Sequence, residues 1–290
     1  MFEYDRSLPL GFEESSSIKK DGYTIKDVLY VSPLGGSVPA YLVVPNVEAQ
    51  PFPAVIFMHP GQGNRATFLP EAEALASQGV LSLLIDAPAN RNPLPEDLSE
   101  EQKVALLVEG IVDVQNYIQI VVDLRRGIDL LSTLENVDMN RLLYVGHSLG
   151  ATWGGVLSGV EKRIKAYVLM AGFSRVSEWH KTSEHPFAAF IRHQLPRERF
   201  DTFLSKLESL DAVHSIKNAS YASLFFQFVQ NDEFVSKQQA ERYYDAASSP
   251  KEVAWYETDH LFTNCDTAYQ DRTQWIHREL AITRTGSSTQ

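Results

Sequence analysis

The sequence predicts an α/β protein. It should hold a mainly parallel central sheet, an N-terminal antiparallel hairpin and helices on both faces. Three observations carry this reading. Apolar runs such as Pro53-Ala-Val-Ile-Phe-Met58 are continuous rather than alternating, as in strands buried on both faces. Such runs alternate along the chain with helix-like stretches, the pattern of βαβ units. One of them ends in Gly146-His-Ser-Leu-Gly150, a small-residue turn that opens a helix.

Residues 23–31 and 38–44 are rich in β-branched and aromatic side chains, and Pro33-Leu-Gly-Gly36 between them reads as a hairpin turn. The buried strand at 53–58 follows, and 80–85, 142–145, 166–170, 223–229 and 253–256 repeat its style. Helices are expected at 68–78, 99–134, 149–157, 236–247 and 268–280. Residues 87–95, rich in Pro and Asn, read as a loop over one end of the sheet. Residues 172–218 are far too long for an ordinary βα connection, and a helix is expected within them at 196–207. They form a helical insertion after the sixth strand of this count, a candidate lid or cap on a single domain spanning 1–290. The tail 283–290 reads as frayed.

Composition narrows the function classes. The chain has 290 residues, of which 44% are hydrophobic and 22% charged, as in a soluble globular protein rather than a disordered one. A net charge of −11 disfavours nucleic acid and anionic membrane as partners. The uncharged stretches 28–47 and 142–160 are interrupted by Pro, Gly, Ser and His and make poor membrane spans. One cysteine, Cys265, allows no intrachain disulfide and no multi-cysteine zinc site, and fits a reducing compartment. No basic n-region precedes an apolar stretch at the N-terminus, so a cytoplasmic protein is expected. No motif asks for a cofactor or a metal, and the oligomeric state is open.

Gly146-His-Ser-Leu-Gly150 matches G-x-S-x-G between an apolar strand and a helix, the setting of a nucleophile elbow. The turn is too tight for side chains at its outer positions, which accounts for both glycines. It exposes the Ser148 hydroxyl and aims the start of a helix at the reacting centre, favouring negative charge there. The alternative is a turn built from small residues for geometry alone. A nucleophilic serine needs a base, and the base needs an orienting acid. Asp232 follows the strand at 223–229, with Glu233 as the competing acid; Asp232 is favoured because it lies nearer the strand end, although an Asp there often serves only an Asx turn. His260 follows the strand at 253–256 in the right chain order and is the candidate base. His277 reads as a helix residue, and His180, His185, His193 and His214 precede the acid. For the oxyanion, one N–H should come from Leu149, the residue after the nucleophile. The other should come from Gly61 or Gln62, because Pro60 has none to give.

These features resemble the α/β-hydrolases over residues 23–280. The carriers are Leu42-Val-Val-Pro45, Pro53-Ala-Val-Ile-Phe-Met-His59, Gly79-Val-Leu-Ser-Leu-Leu-Ile-Asp86, Asp123-Leu-Arg-Arg-Gly-Ile-Asp-Leu-Leu131 and the Ser148 elbow. The chain is most similar to the branch of dienelactone hydrolases, acetyl xylan esterases and prolyl-oligopeptidase-like enzymes. The resemblance implies a Ser148–Asp232–His260 triad and acyl transfer to water. It departs from the dienelactone hydrolases, which use Cys, and from the oligopeptidases, whose propeller domain has no room here. Phe228-Val-Gln-Asn231 also lacks the glycine usual before the acid turn.

A carboxylesterase-type serine hydrolase acting on a small-molecule ester is therefore expected. The alternatives are a peptidase or amidase, for which Glu178 or Glu184 would have to anchor a peptide terminus, a C–C or thioester hydrolase on the same triad, and a non-catalytic ligand-binding homologue. His147 and the insertion aromatics Trp179, Phe187 and Phe190 are candidate pocket residues. Phe203 joins them as a candidate, with packing of the insertion itself as the competing role.

Overall fold

The computed structural model describes residues 1–47, 51–91, 95 and 97–282. Its centre is a nine-stranded sheet. In chain order the strands are β1 (Glu13–Lys20), β2 (Tyr23–Val31), β3 (Ser37–Pro45), β4 (Phe52–Met58), β5 (Leu81–Ile85), β6 (Val137–His147), β7 (Ala166–Met170), β8 (Ser223–Val229) and β9 (Lys251–Tyr256). They lie side by side as β1-β2-β3-β5-β4-β6-β7-β8-β9. The first three are antiparallel, as is β3 against β5, and every pair from β5 to β9 is parallel. All residues of β4, β5 and β7 are buried, so the continuous apolar runs do mark strands covered on both faces.

The helices are α1 (Leu69–Ala76), α2 (Glu100–Val112), α3 (Val114–Ser132), α4 (Leu149–Val160), α5 (Val176–Thr182), α6 (Pro186–Gln194), α7 (Arg197–Glu208), α8 (Ala212–Ile216), α9 (Lys237–Ala246) and α10 (Asp266–Glu279). One core layer packs α3, α4, α8 and α9 on one face of the sheet. The other packs α1 and α10 on the opposite face. Among the described residues no single helix is long and apolar enough to cross a membrane.

Four expectations change. Strand β1 precedes the expected hairpin; its residues are exposed throughout and show no apolar period. The helix expected over 99–134 is two helices bent by 62°, because Asp113 adopts an extended backbone and its carboxylate caps α3 through the Gln115 N–H. Strand β6 starts at Val137, earlier than 142. The insertion follows the seventh strand rather than the sixth, and holds α5 to α8 rather than one helix. Within 87–95 a short 3₁₀ turn, Pro88–Asn90, is present, while 92–94 lie outside the described residues, as do 283–290.

Candidate active site

The site lies at the C-terminal ends of β4, β6, β8 and β9, where open parallel sheets collect their functional loops. Ser148 stands between β6 and α4 with φ 52°, a left-handed conformation that serine adopts only under constraint. Its neighbours impose that constraint. A Cβ on Gly146 would lie 2.5 Å from the Gly150 carbonyl, and one on Gly150 would lie 2.2 Å from the Met58 oxygen at the end of β4. The glycines therefore let α4 start directly against β4, the strand that carries the candidate oxyanion loop. The Ser148 N–H donates to Met170 O at 2.7 Å and ties the turn to β7.

Three predicted residues meet in one line. The Ser148 hydroxyl donates to His260 Nε2 at 2.8 Å. His260 Nδ1–H donates to Asp232, 2.8 Å from Oδ2 and 2.9 Å from Oδ1. Asp232 Oδ1 also accepts the Phe234 and Val235 N–H groups at 2.8 and 2.9 Å, so the turn after β8 fixes the carboxylate. The competing acid, Glu233, is exposed and is not the carboxylate bonded to His260. Ser148 is 8% exposed and His260 1%, which shields the line from water while leaving the serine hydroxyl a small opening.

Two further histidines hold the surroundings. His147 lies behind His260 rather than lining an open pocket: it is buried, and its Nε2–H donates to the His260 carbonyl at 2.7 Å. Burial, reinforced by His260, pushes its pKa down to about 3, so it stays neutral and keeps that proton to donate. Its ring meets Phe262 edge-on at 5.6 Å. His59 Nε2 accepts the Ala87 N–H at 3.0 Å, which leaves Nδ1–H to donate to Pro60 O at 2.7 Å. Burial holds its pKa below the usual histidine range. It thereby clasps the start of the loop after β4. The Gly63 N–H of that loop is tied to Pro60 O, which leaves Gly61 and Gln62 as candidate donors opposite Leu149 at the start of α4.

The insertion reaches the site through aromatic rings. Phe234, two residues after Asp232, lies 4.6 Å from the His260 ring, and His185 lies 4.1 Å from Phe234. Trp179 touches Phe234, His185, Phe187 and Phe173. Trp179 and Phe187 thus belong to a stack that ends on His260. Phe190 does not: it packs on a separate small cluster of Val108, Ile191 and Leu195, joining the insertion to α2. Phe203 is buried in the main core. Phe234 was not singled out from the sequence, although its place two residues after the acid was a usable signal. Glu178, considered as an anchor for a peptide terminus, is paired with Arg242, and Glu184 is exposed.

A mainly parallel sheet with helices on both faces and a serine on a strained strand-to-helix turn define an α/β-hydrolase. The chain belongs to the acetyl xylan esterase (AXE1) family, whose model matches residues 9–275, and it is a serine hydrolase acting on carboxylic esters. Solved structures share the fold. An acetyl xylan esterase from Paenibacillus sp. R4 is 21% identical with a TM-score of 0.76, over 93% of this chain and 89% of that one. Acetyl xylan esterase 1 from Thermoanaerobacterium sp. JW/SL YS485 is 17% identical with a TM-score of 0.72, over 95% and 89%. A cold-adapted esterase from an Arctic intertidal metagenomic library is 14% identical with a TM-score of 0.66, over 91% and 97%. No curated protein matches this sequence.

Proposed function

We propose that Ser148, His260 and Asp232 carry the ester hydrolysis and that the substrates are small acyl esters, with acetyl groups on a carbohydrate as the leading class. The unbroken line from Ser148 Oγ through His260 to Asp232 carries the assignment of roles. The family supports the acetyl group, since acetyl xylan is what its name describes.

As Ser148 Oγ bonds to the ester carbonyl carbon, its proton passes to His260 Nε2. The carbonyl π electrons move onto oxygen, and that oxyanion accepts the Leu149 N–H and the N–H of Gly61 or Gln62. Asp232 holds the Nδ1–H tautomer and stabilises the imidazolium. The C–O bond to the alcohol then breaks, and the departing oxygen takes the proton from His260. Water attacks the acyl-enzyme with His260 as base, returning the serine and releasing the acid.

The test is a chain-length series of p-nitrophenyl esters with an acetylated xylo-oligosaccharide, run on wild type and Ser148→Ala. Turnover should be highest on acetyl esters and fall by about three orders of magnitude or more in the variant, with the fold intact. Unchanged turnover in Ser148→Ala would overturn the nucleophile. A preference for long acyl chains would overturn the substrate class.

A further inference from the structure

Strand β1 buries nothing. All eight of its residues are exposed, so neither face rests on the core, and its outer edge is the end of the sheet. A strand held by one neighbour alone gains little stability, and an open edge is a template for another strand. Its sequence, Glu13-Glu-Ser-Ser-Ser-Ile-Lys-Lys20, is acidic at one end and basic at the other.

The register against β2 fixes which side chains share a face. Glu13, Ser16, Ile18 and Lys20 oppose Leu29, Asp27, Ile25 and Tyr23, while Glu14, Ser17 and Lys19 oppose Val28, Lys26 and Thr24. Ser15 is the extra residue of a β-bulge. The Glu14–Lys26 ion pair, at 2.8 Å, spans the second of these faces as the register requires. With Ser15 bulged out, the ladder positions are symmetric about Ser17. Without the bulge, Glu13 and Lys20 would project from opposite faces.

We infer that β1 pairs antiparallel with β1 of a second copy of this chain, across a two-fold axis normal to the sheet at Ser17. That axis places Glu13 opposite Lys20 and Glu14 opposite Lys19, each pair on one face and each occurring twice. Glu14 then lies between its own Lys26 and the second copy's lysine. Ile18, 57% exposed in the single chain, meets its symmetry mate diagonally across the axis. The contact is isologous and joins two sheets into one. A junction of one strand per copy is small, so the dimer is weak and salt-sensitive.

Sedimentation equilibrium of the full chain over a micromolar to submillimolar range, at low and high salt, tests this. Two variants are compared: Glu13→Lys with Glu14→Lys, and Lys19→Glu with Lys20→Glu. Wild type should dimerise, less so at high salt. Each variant alone should dimerise about tenfold more weakly or not at all, and an equimolar mixture should recover the dimer. Reversing the glutamates makes a chain of net charge −11 less negative, so overall repulsion alone would strengthen that variant's association. Unchanged circular dichroism and ester turnover show that the variants fold. A wild type that stays monomeric, a dimer indifferent to either reversal, or a mixture that stays monomeric would each overturn the pairing.

Discussion

At the scale of single residues, buried polar groups divide by whether the fold favours their charge. Ser148 keeps its left-handed backbone because the Met170 carbonyl and the close approach of β4 leave no alternative, a strain of roughly 1–3 kcal/mol. Asp211 is the opposite kind of case. It is fully buried, accepts the Ser177 N–H at 3.1 Å and the Ser177 hydroxyl at 2.5 Å, and burial still raises its pKa to about 6. The fold thus prefers its protonated form more than the unfolded chain does. Its favourable contribution is complete below the unfolded pKa near 3.8 and is lost as pH rises through about 6. Asp211→Asn, which can keep the bond to the Ser177 N–H, should be the more stable protein at pH 7, by about 2–3 kcal/mol at most. That advantage should shrink steadily toward pH 4. Thermal unfolding of both proteins across this range measures it, and an advantage that grows on acidification would show the sign to be wrong.

At the scale of elements, the insertion has two kinds of aromatic residue. Phe187 belongs to the stack that runs through Trp179 and Phe234 to His260, and it is 37% exposed. Phe190 fills the cluster that fastens α6 to α2. Phe187→Ala should therefore shift the preference among acyl chain lengths with little change in melting temperature. Phe190→Ala should lower the melting temperature and leave the preference alone, at a cost of about 2–3 kcal/mol for a half-buried ring. The reverse pattern in paired activity and melting measurements would reassign both residues. The sequence showed these aromatics but not the division, because their partners are brought together from distant segments. It showed the parallel strands well, since burial on both faces leaves an uninterrupted apolar run. It did not show β1, which buries nothing and so carries no period. The break at Asp113 was also hidden, because the nearest glycine, Gly110, sits within α2 rather than at the break, and Val112-Asp-Val114 carries no turn signal.

At the scale of the molecule, a buried polar network on one face of the sheet joins α1 and α10 to the strands that lead to the site. Arg272 of α10 makes a bidentate pair with Glu71 of α1, at 2.9 and 2.7 Å, and bonds Gln227 of β8 at 3.0 Å. Gln227 in turn donates to the Tyr256 hydroxyl at 2.9 Å, at the end of the strand that leads to His260. Glu71→Ala leaves a buried guanidinium half-paired and should cost about 3–5 kcal/mol. Pairing it with Arg272→Met should recover part of that loss. Denaturant midpoints for the two single variants and the double variant complete the cycle, and strictly additive losses would show that the pair is not coupled. Nothing in the sequence linked Glu71 to Arg272, although Ser148, Asp232 and His260 were legible from one tight turn and the order of three loops. The order of the three candidate site residues is written along the chain, whereas buried charge pairs depend on packing that no local pattern records.

The bond between Ser148 and His260 closes across 112 positions of sequence. Every parallel strand from β6 to β9 must be in register before it can form. Long-range closures of this kind come late, since each must overcome the entropy of the loop it closes. On the triad proposed above, a protein in which β9 has yet to dock holds Ser148 without the imidazole that would serve as its base, and it should be silent toward esters. Ester turnover should then report on the fully assembled sheet and on no earlier state of the chain.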